Sequence, residues 1–163
     1  MIIVTGGAGF IGSNLINALI EKKKEVFLCD YPILVKKNYF KHYNKIKKII
    51  KPDNLFTFIS NNNVRVIYHL GAISSTTHKN PNKQWVDNVL FSTKLWKVCS
   101  KKNIRLIYAS SAATYGNGDQ GFEDVEDLDF LKKLYAMNVY GWTKNEVDIR
   151  NIFLKNSLGF YPS

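Results

Sequence analysis

Apolar residues recur along this chain in two rhythms. Short apolar runs at Ile2–Thr5, Glu25–Cys29, Arg65–Leu70 and Ile104–Ala109 read as strands, the first of them buried. Between them lie segments with helical spacing. Ser13 to Lys22 carries Leu15, Ile16, Leu19 and Ile20, and Lys83 to Lys101 carries Trp85, Val89, Leu95, Trp96 and Cys99. Asn138 to Phe153 reads as a further helix, and Gly116 to Asp129 as a polar, acidic loop. Residues 33–63 are less distinct. Ile46, Ile49 and Ile50 give Lys36 to Lys51 a helix-compatible pattern, Pro52-Asp53 looks like a helix start, and Asn61-Asn62-Asn63 like a turn. Strands alternating with helices predict an α/β fold: a doubly wound parallel sheet, with residues 1–163 forming one domain.

Composition narrows the class. The 163 residues are 45% hydrophobic, enough for a single buried core, and no apolar run is long enough to span a bilayer. Met1 leads straight into Ile2-Ile3-Val4 without a basic region or cleavage site, so no signal peptide and a cytoplasmic location are expected. Cys29 and Cys99 lie in separate apolar segments and lack metal-ligand spacing, which predicts reduced core thiols and no metal site. The formal charge is +10, and Arg65, Arg105 and Arg150 are the only arginines. A lysine-, asparagine- and isoleucine-rich chain with few guanidinium forks reads as a solvated surface ahead of a nucleic-acid site.

The chemistry begins at Thr5-Gly6-Gly7-Ala8-Gly9-Phe10-Ile11-Gly12-Ser13-Asn14. Gly6, Gly9 and Gly12 form a G-x-x-G-x-x-G series between a strand and a helix. Glycine permits the tight turn and close approach of backbone to phosphate, and the helix N-terminus then faces the anion. Asp30, about twenty positions on at the end of the second strand, is placed to accept hydrogen bonds from an adenosine ribose. The bland alternative is a tight strand-to-helix turn with no ligand.

This spacing resembles the short-chain dehydrogenase/reductase superfamily, particularly its extended branch of sugar-nucleotide epimerases and dehydratases, which implies a Rossmann, NAD(P)-binding fold. The resemblance calls for a later Tyr-x-x-x-Lys on a helix, and Tyr140-Gly-Trp-Thr-Lys144 supplies it. Residues four apart share a helix face, and an ammonium near a phenol favours the phenolate, which suits acid–base work on a sugar hydroxyl. Ser110-Ser111 follows the strand Ile104–Ala109 at the end where such sheets bind ligands. By match to the superfamily, Ser111 holds the substrate oxygen and Ser110 is its neighbouring support. Gly71-Ala72 resembles the segment running along the cofactor, and Asn88 the helix asparagine that steadies the active-site backbone.

Longer stretches are similar to one narrower family, the ADP-glyceromanno-heptose 6-epimerases. They are residues 1–14, His69-Leu-Gly-Ala-Ile-Ser-Ser-Thr-Thr77, Tyr108-Ala-Ser-Ser-Ala-Ala-Thr-Tyr-Gly116 and Asn138-Val-Tyr-Gly-Trp-Thr-Lys144, with Gly118-Asp119-Gln120-Gly121-Phe122 also alike. The resemblance implies an NADP-dependent isomerase, NAD being the alternative cofactor. Such an enzyme acts on an ADP-heptose for the lipopolysaccharide core by transient oxidation at C6. It implies Tyr140, Lys144 and Ser111 as catalytic residues. Phe10 and Ile11 would line the pyrophosphate loop, and Leu70, Gly71, Ala72, Ile73, Ser74 and Asn88 the cofactor path. Lys37 and Lys51 are the nearest matches to lysines that take the adenosine 2′-phosphate.

The family's chains continue well beyond this length, and the tail Gly159-Phe160-Tyr161-Pro162-Ser163 does not resemble their continuation. The expectation is therefore a truncated chain that lacks the C-terminal substrate domain. It would leave Ile104–Ala109 as a possible sheet edge and be prone to homo-oligomerisation or weak stability. Three functions compete: a nucleotide-sugar epimerase, a non-catalytic dinucleotide-binding remnant, and a basic nucleic-acid-binding module. The glycine loop disfavours the third.

Overall fold

β1 (Ile2–Thr5) lies at the middle of a five-stranded parallel sheet in the computed structural model, which describes residues 1–160 and 162. β2 (Val26–Cys29) pairs along one edge of β1 and β4 (Val66–His69) along the other, with Val4 opposite both Leu28 and Tyr68. β3 (Lys48–Ile50) and β5 (Arg105–Tyr108) complete the order β3-β2-β1-β4-β5. Successive strands run outward from β1 in one direction and then in the other, the layout of a Rossmann fold.

The chain divides into two units. The first, Met1–Gly71 with Lys102–Ala109, holds the sheet. There α1 (Phe10–Glu21) buries Ile16, Leu19 and Ile20 against Val4, Val26, Leu28 and Phe40. Each such side chain, fully buried, contributes about 1.5–3 kcal/mol. α2 (Leu55–Asn61) covers the other face: Phe58 meets Phe27 at 5.4 Å, and Phe27 points away from the side on which Leu28 packs. α1 ends without glycine. Lys23 adopts a left-handed φ of 56°, and the N–H groups of Lys23 and Lys24 reach the carbonyls of Ile20 and Leu19 at 2.9 and 3.0 Å.

The helix suggested for Lys36 to Lys51 is absent. Two single 3₁₀ turns, Lys37–Tyr39 and Tyr43–Lys45, lead into β3 instead. Ile49 packs with the α1 cluster while Ile50 is buried, so these two serve alternate faces of a strand, and Ile46 packs on the same cluster from the turn before it. β3 is an edge strand, and exposed Lys48 discourages further pairing there. At the other edge β5 pairs only with β4 among the described residues, as the strand Ile104–Ala109 was expected to.

The second unit comprises Ala72–Lys101 and Ser110–Pro162. Its first helical run starts at Pro81, two residues before the expected Lys83. α3 (Pro81–Gln84) is capped by Asn80, whose Oδ1 accepts from the Lys83 N–H at 2.9 Å. A π-helical turn, Trp85–Leu90, separates α3 from α4 (Phe91–Lys101). The acidic loop is shorter than its composition suggested. α5 (Leu128–Lys133) begins inside it because Asp127 accepts the Phe130 N–H at 2.6 Å, and Leu131 and Leu134 then pack with Ile152. α6 (Val139–Leu158) opens with Asn138 accepting the Gly141 N–H and closes before Gly159, at φ 64°. Among the described residues no helix is long and apolar enough to cross a membrane. Tyr161 and Ser163, part of the tail that departs from the family, lie outside the described residues.

Candidate functional site

In the first unit β1 ends at Thr5 and α1 begins at Phe10, so the chain reverses within four residues. Gly6 has φ 65°, and a Cβ there would lie 2.7 Å from the Gly71 nitrogen. A Cβ on Gly12 would lie 2.2 Å from the Gly6 carbonyl oxygen. Gly9 differs: a Cβ there meets only that same oxygen, at 3.3 Å, and the residue is exposed. Gly6 and Gly12 therefore close the turn, and Gly9 leaves it open. No side chain caps α1, and the N–H groups of Phe10, Ile11 and Gly12 have no intrahelical acceptor. Phe10 and Ile11 are 85% and 66% exposed at this mouth. Open backbone donors at the positive end of a helix, with no Cβ in the way, fit a diphosphate.

Asp30 follows β2, as expected. Its two oxygens accept from the Ala8 N–H at 3.0 Å and the Tyr31 N–H at 2.8 Å, so the carboxylate braces the glycine turn. Lys51 directly follows Ile50, whose carbonyl accepts the Asp30 N–H at 3.0 Å, and its side chain is exposed. Lys37 is also exposed, with its ammonium 5.4 Å from the Tyr43 ring centroid.

Two residues to which the sequence assigned no individual role brace the turn. Thr5 Oγ1 accepts the Gly71 N–H at 3.1 Å and lies 2.6 Å from Nδ1 of His69, which is 1% exposed. The hydroxyl and the imidazole share this hydrogen bond, and β1, β4 and Gly71 are tied beneath the turn. Leu70 packs half-buried on the α1 cluster, with its N–H on the Thr5 carbonyl at 3.2 Å.

In the second unit Asn88 is 1% exposed and organises the segment after Gly71. Its Oδ1 accepts the Ile73 N–H at 2.8 Å, and its Nδ2 donates to the Ile73 carbonyl at 3.1 Å and to Thr143 Oγ1 at 3.0 Å. Gln84, equally buried, donates to the Ser75 carbonyl at 3.0 Å. The two amides suspend Ile73 and Ser75 from one helical run, leaving Ala72 half-buried and Ser74 exposed. Asn88 sits in the π turn, a helical irregularity common at functional sites.

Tyr140 and Lys144 share a face of α6, with the Lys144 ammonium 6.0 Å from the Tyr140 ring centroid. Lys144 is 3% exposed, and burial pushes its pKa down to about 8 against the opposing pull of Asp148. Ser111 is half-buried and caps the 3₁₀ turn Ala112–Tyr115, its Oγ accepting the Ala113 N–H at 3.2 Å. A Cβ on Gly141 would lie 2.4 Å from the Ala113 carbonyl oxygen, so this glycine lets the serine turn press against α6 beside Tyr140. Ser110 is held by Asp148, a residue the sequence did not single out although it lies one helical turn past Lys144.

Cys29 and Cys99 are free and buried, and burial pushes both thiols up to about 12, with Asp30 adding to the effect at Cys29. Among the described residues no group of three or more His, Cys, Asp or Glu could hold a metal ion.

Residues 2–150 match the model of the NAD dependent epimerase/dehydratase family. Among curated proteins, the ADP-L-glycero-D-manno-heptose-6-epimerase of Brachyspira hyodysenteriae is 36% identical over 97% of this chain and 51% of its own length. The enzyme of the same name from Fusobacterium nucleatum is 38% identical over 91% of this chain and 46% of its own. The chain spans about half the length of these relatives. Among solved structures, the Helicobacter pylori ADP-L-glycero-D-manno-heptose-6-epimerase superposes with a TM-score of 0.69 at 30% identity, over 90% of this chain and 48% of that one.

Proposed function

Since the chain belongs to the NAD dependent epimerase/dehydratase family, we propose that its first unit holds a nicotinamide dinucleotide and its second supplies the acid–base groups of a nucleotide-sugar epimerase. The open turn at Gly9 and the N–H groups of Phe10, Ile11 and Gly12 would take the diphosphate. Gly71, Ala72, Ile73 and Ser74 would follow the cofactor, with Asn88 fixing their backbone. NADP is the proposed form, with NAD as the alternative: exposed Lys51 follows Ile50, whose carbonyl takes the Asp30 N–H, and would offer a cation for a 2′-phosphate. The proposed substrate is an ADP-heptose inverted at C6, on the strength of the similarity to the Brachyspira and Fusobacterium enzymes.

When bound, the nicotinamide supplies reversible hydride transfer at the sugar carbon. Tyr140 would take the proton from the sugar hydroxyl during oxidation and return it on reduction. Lys144 would set a positive charge on the Tyr140 face, and Ser111 would hold the oxygen by hydrogen bond. The observation that supports this most is Lys144 itself. A lysine buried to 3% exposure within reach of a tyrosine ring is costly to keep for packing alone.

The test is to incubate the chain with NADP or NAD and an ADP-heptose and to follow C6 configuration by NMR. Inversion that Tyr140→Phe reduces by at least about a hundredfold supports the proposal. Cofactor binding without inversion would reduce it to dinucleotide holding, and binding of neither dinucleotide would refute it. Self-association is also proposed, since β5 presents an edge with Ile107 38% exposed. A monodisperse monomer in sedimentation, with a sharp and high melting transition, would contradict that.

A further inference from the structure

Asp148 stands four residues after Lys144, one turn further along α6. Its Oδ2 accepts from Ser110 Oγ at 2.5 Å. Ser110 immediately precedes Ser111, the cap of the Ala112–Tyr115 turn. One carboxylate therefore acts on two of the proposed functional elements: it binds the start of the serine turn, and its charge opposes the effect of burial on Lys144. Burial pushes the Asp148 carboxyl up to about 6, while the Ser110 hydrogen bond and the Lys144 charge pull it back. The neighbouring charges on α6 are otherwise matched: Glu146 pairs with Arg150 at 2.8 Å, and Lys155 with Glu126.

We infer that Asp148 is a positioning residue for the Tyr140, Lys144 and Ser111 group, clasping Ser110 to α6 one turn beyond Lys144. The inference rests on the proposed roles of those three residues, yet the clasp exists without cofactor or sugar and can be read without either. An acid at this spacing also explains how a nearly sealed lysine stays cationic near neutral pH. A lysine alone in that environment would lose its proton more readily.

The experiment is an NMR titration of the full chain, with ¹³Cε-labelled lysine and ¹³Cγ-labelled aspartate. In the parent chain Lys144 is expected to titrate near about 8 and Asp148 near about 6. Asp148→Asn should move the Lys144 midpoint down by about one pH unit, and Asp148→Glu should restore most of it. Ser110→Ala changes an exposed hydroxyl and should raise the Asp148 midpoint without disturbing the fold. An unmoved Lys144 midpoint in Asp148→Asn, or an unmoved Asp148 midpoint in Ser110→Ala, would overturn the inference. If Asp148→Asn does not fold, Ser110→Ala decides alone. Titration of the parent chain with dinucleotide separates the two levels. Absence of binding removes the proposed function and leaves these midpoints in place. Normal binding with unmoved midpoints removes only the role of Asp148.

Discussion

Gly12→Ala is the sharpest perturbation of the glycine turn. The new methyl would sit 2.2 Å from the Gly6 carbonyl oxygen and 2.7 Å from Gly7 Cα, where real Cβ contacts under 3.0 Å essentially never occur. Both neighbours are backbone, so no side chain can swing aside. Relief requires the turn and the first turn of α1 to separate by about 1 Å, and overpacking of this kind costs roughly 1–3 kcal/mol. Alanine returns about 1 kcal/mol through its better helix propensity. The net loss is up to about 2 kcal/mol, which for a chain of this size lowers Tm by as much as roughly 8 °C. Gly9→Ala is the matched control. Gly9 has φ −76° and its added Cβ meets one backbone oxygen at 3.3 Å, which must give by a few tenths of an ångström, so at this N-cap stability should fall by no more than about 1 kcal/mol. Its methyl nevertheless occupies the open mouth, and dinucleotide affinity should fall about tenfold, or 1.4 kcal/mol. Calorimetric melting and fluorescence titration separate the two effects. A Gly12→Ala chain that melts with the parent and binds dinucleotide equally well would refute the close-approach account of the turn.

Asn88→Ala removes three hydrogen bonds at a residue 1% exposed and orphans both backbone groups of Ile73; urea denaturation should show a loss of about 2–4 kcal/mol, and an unchanged midpoint would contradict it. Lys23→Gly relieves a non-glycine residue at φ 56° and should raise stability by about 0.5–1 kcal/mol in the same assay, while a loss would show that the lysine side chain contributes something the cap does not require. The raised Asp148 carboxyl makes a contribution that is present below its ordinary pKa of 3.8 and is lost as pH rises through about 6. The lowered Lys144 makes one that is present above its ordinary 10.5 and is lost as pH falls through about 8. Denaturation midpoints of the parent minus those of Asp148→Asn should therefore fall between pH 4 and 6, and a flat difference would contradict the burial of that carboxylate.

Much of the frame is legible in the amino-acid sequence. β1, β2 and β4 are legible as apolar runs because a parallel sheet buries its inner strands on both faces, and β5 carries the same kind of run although it lies at the edge. The Gly6–Gly12 turn was legible because its glycines are steric necessities rather than loop filler. β3 was not, since three isoleucines among lysines fit either period and only pairing with β2 decides between them. The π turn escaped because an inserted residue breaks the spacing by which helices are read, although Asn88 itself was singled out. Asp148, Thr5 and His69 act through contacts 38 to 66 residues apart in sequence, and no local pattern announces those. Asp148 had one available clue, its position one turn beyond Lys144 on the same helix.

The proposed function has the first unit hold a nicotinamide dinucleotide by the open turn at Gly9. Isothermal titration of the chain with NADP and NAD decides whether it does. Saturable binding of at least one of them, tighter for NADP and weakened about tenfold by Gly9→Ala, is the predicted result. No heat with either dinucleotide, or binding that Gly9→Ala leaves untouched, would contradict it.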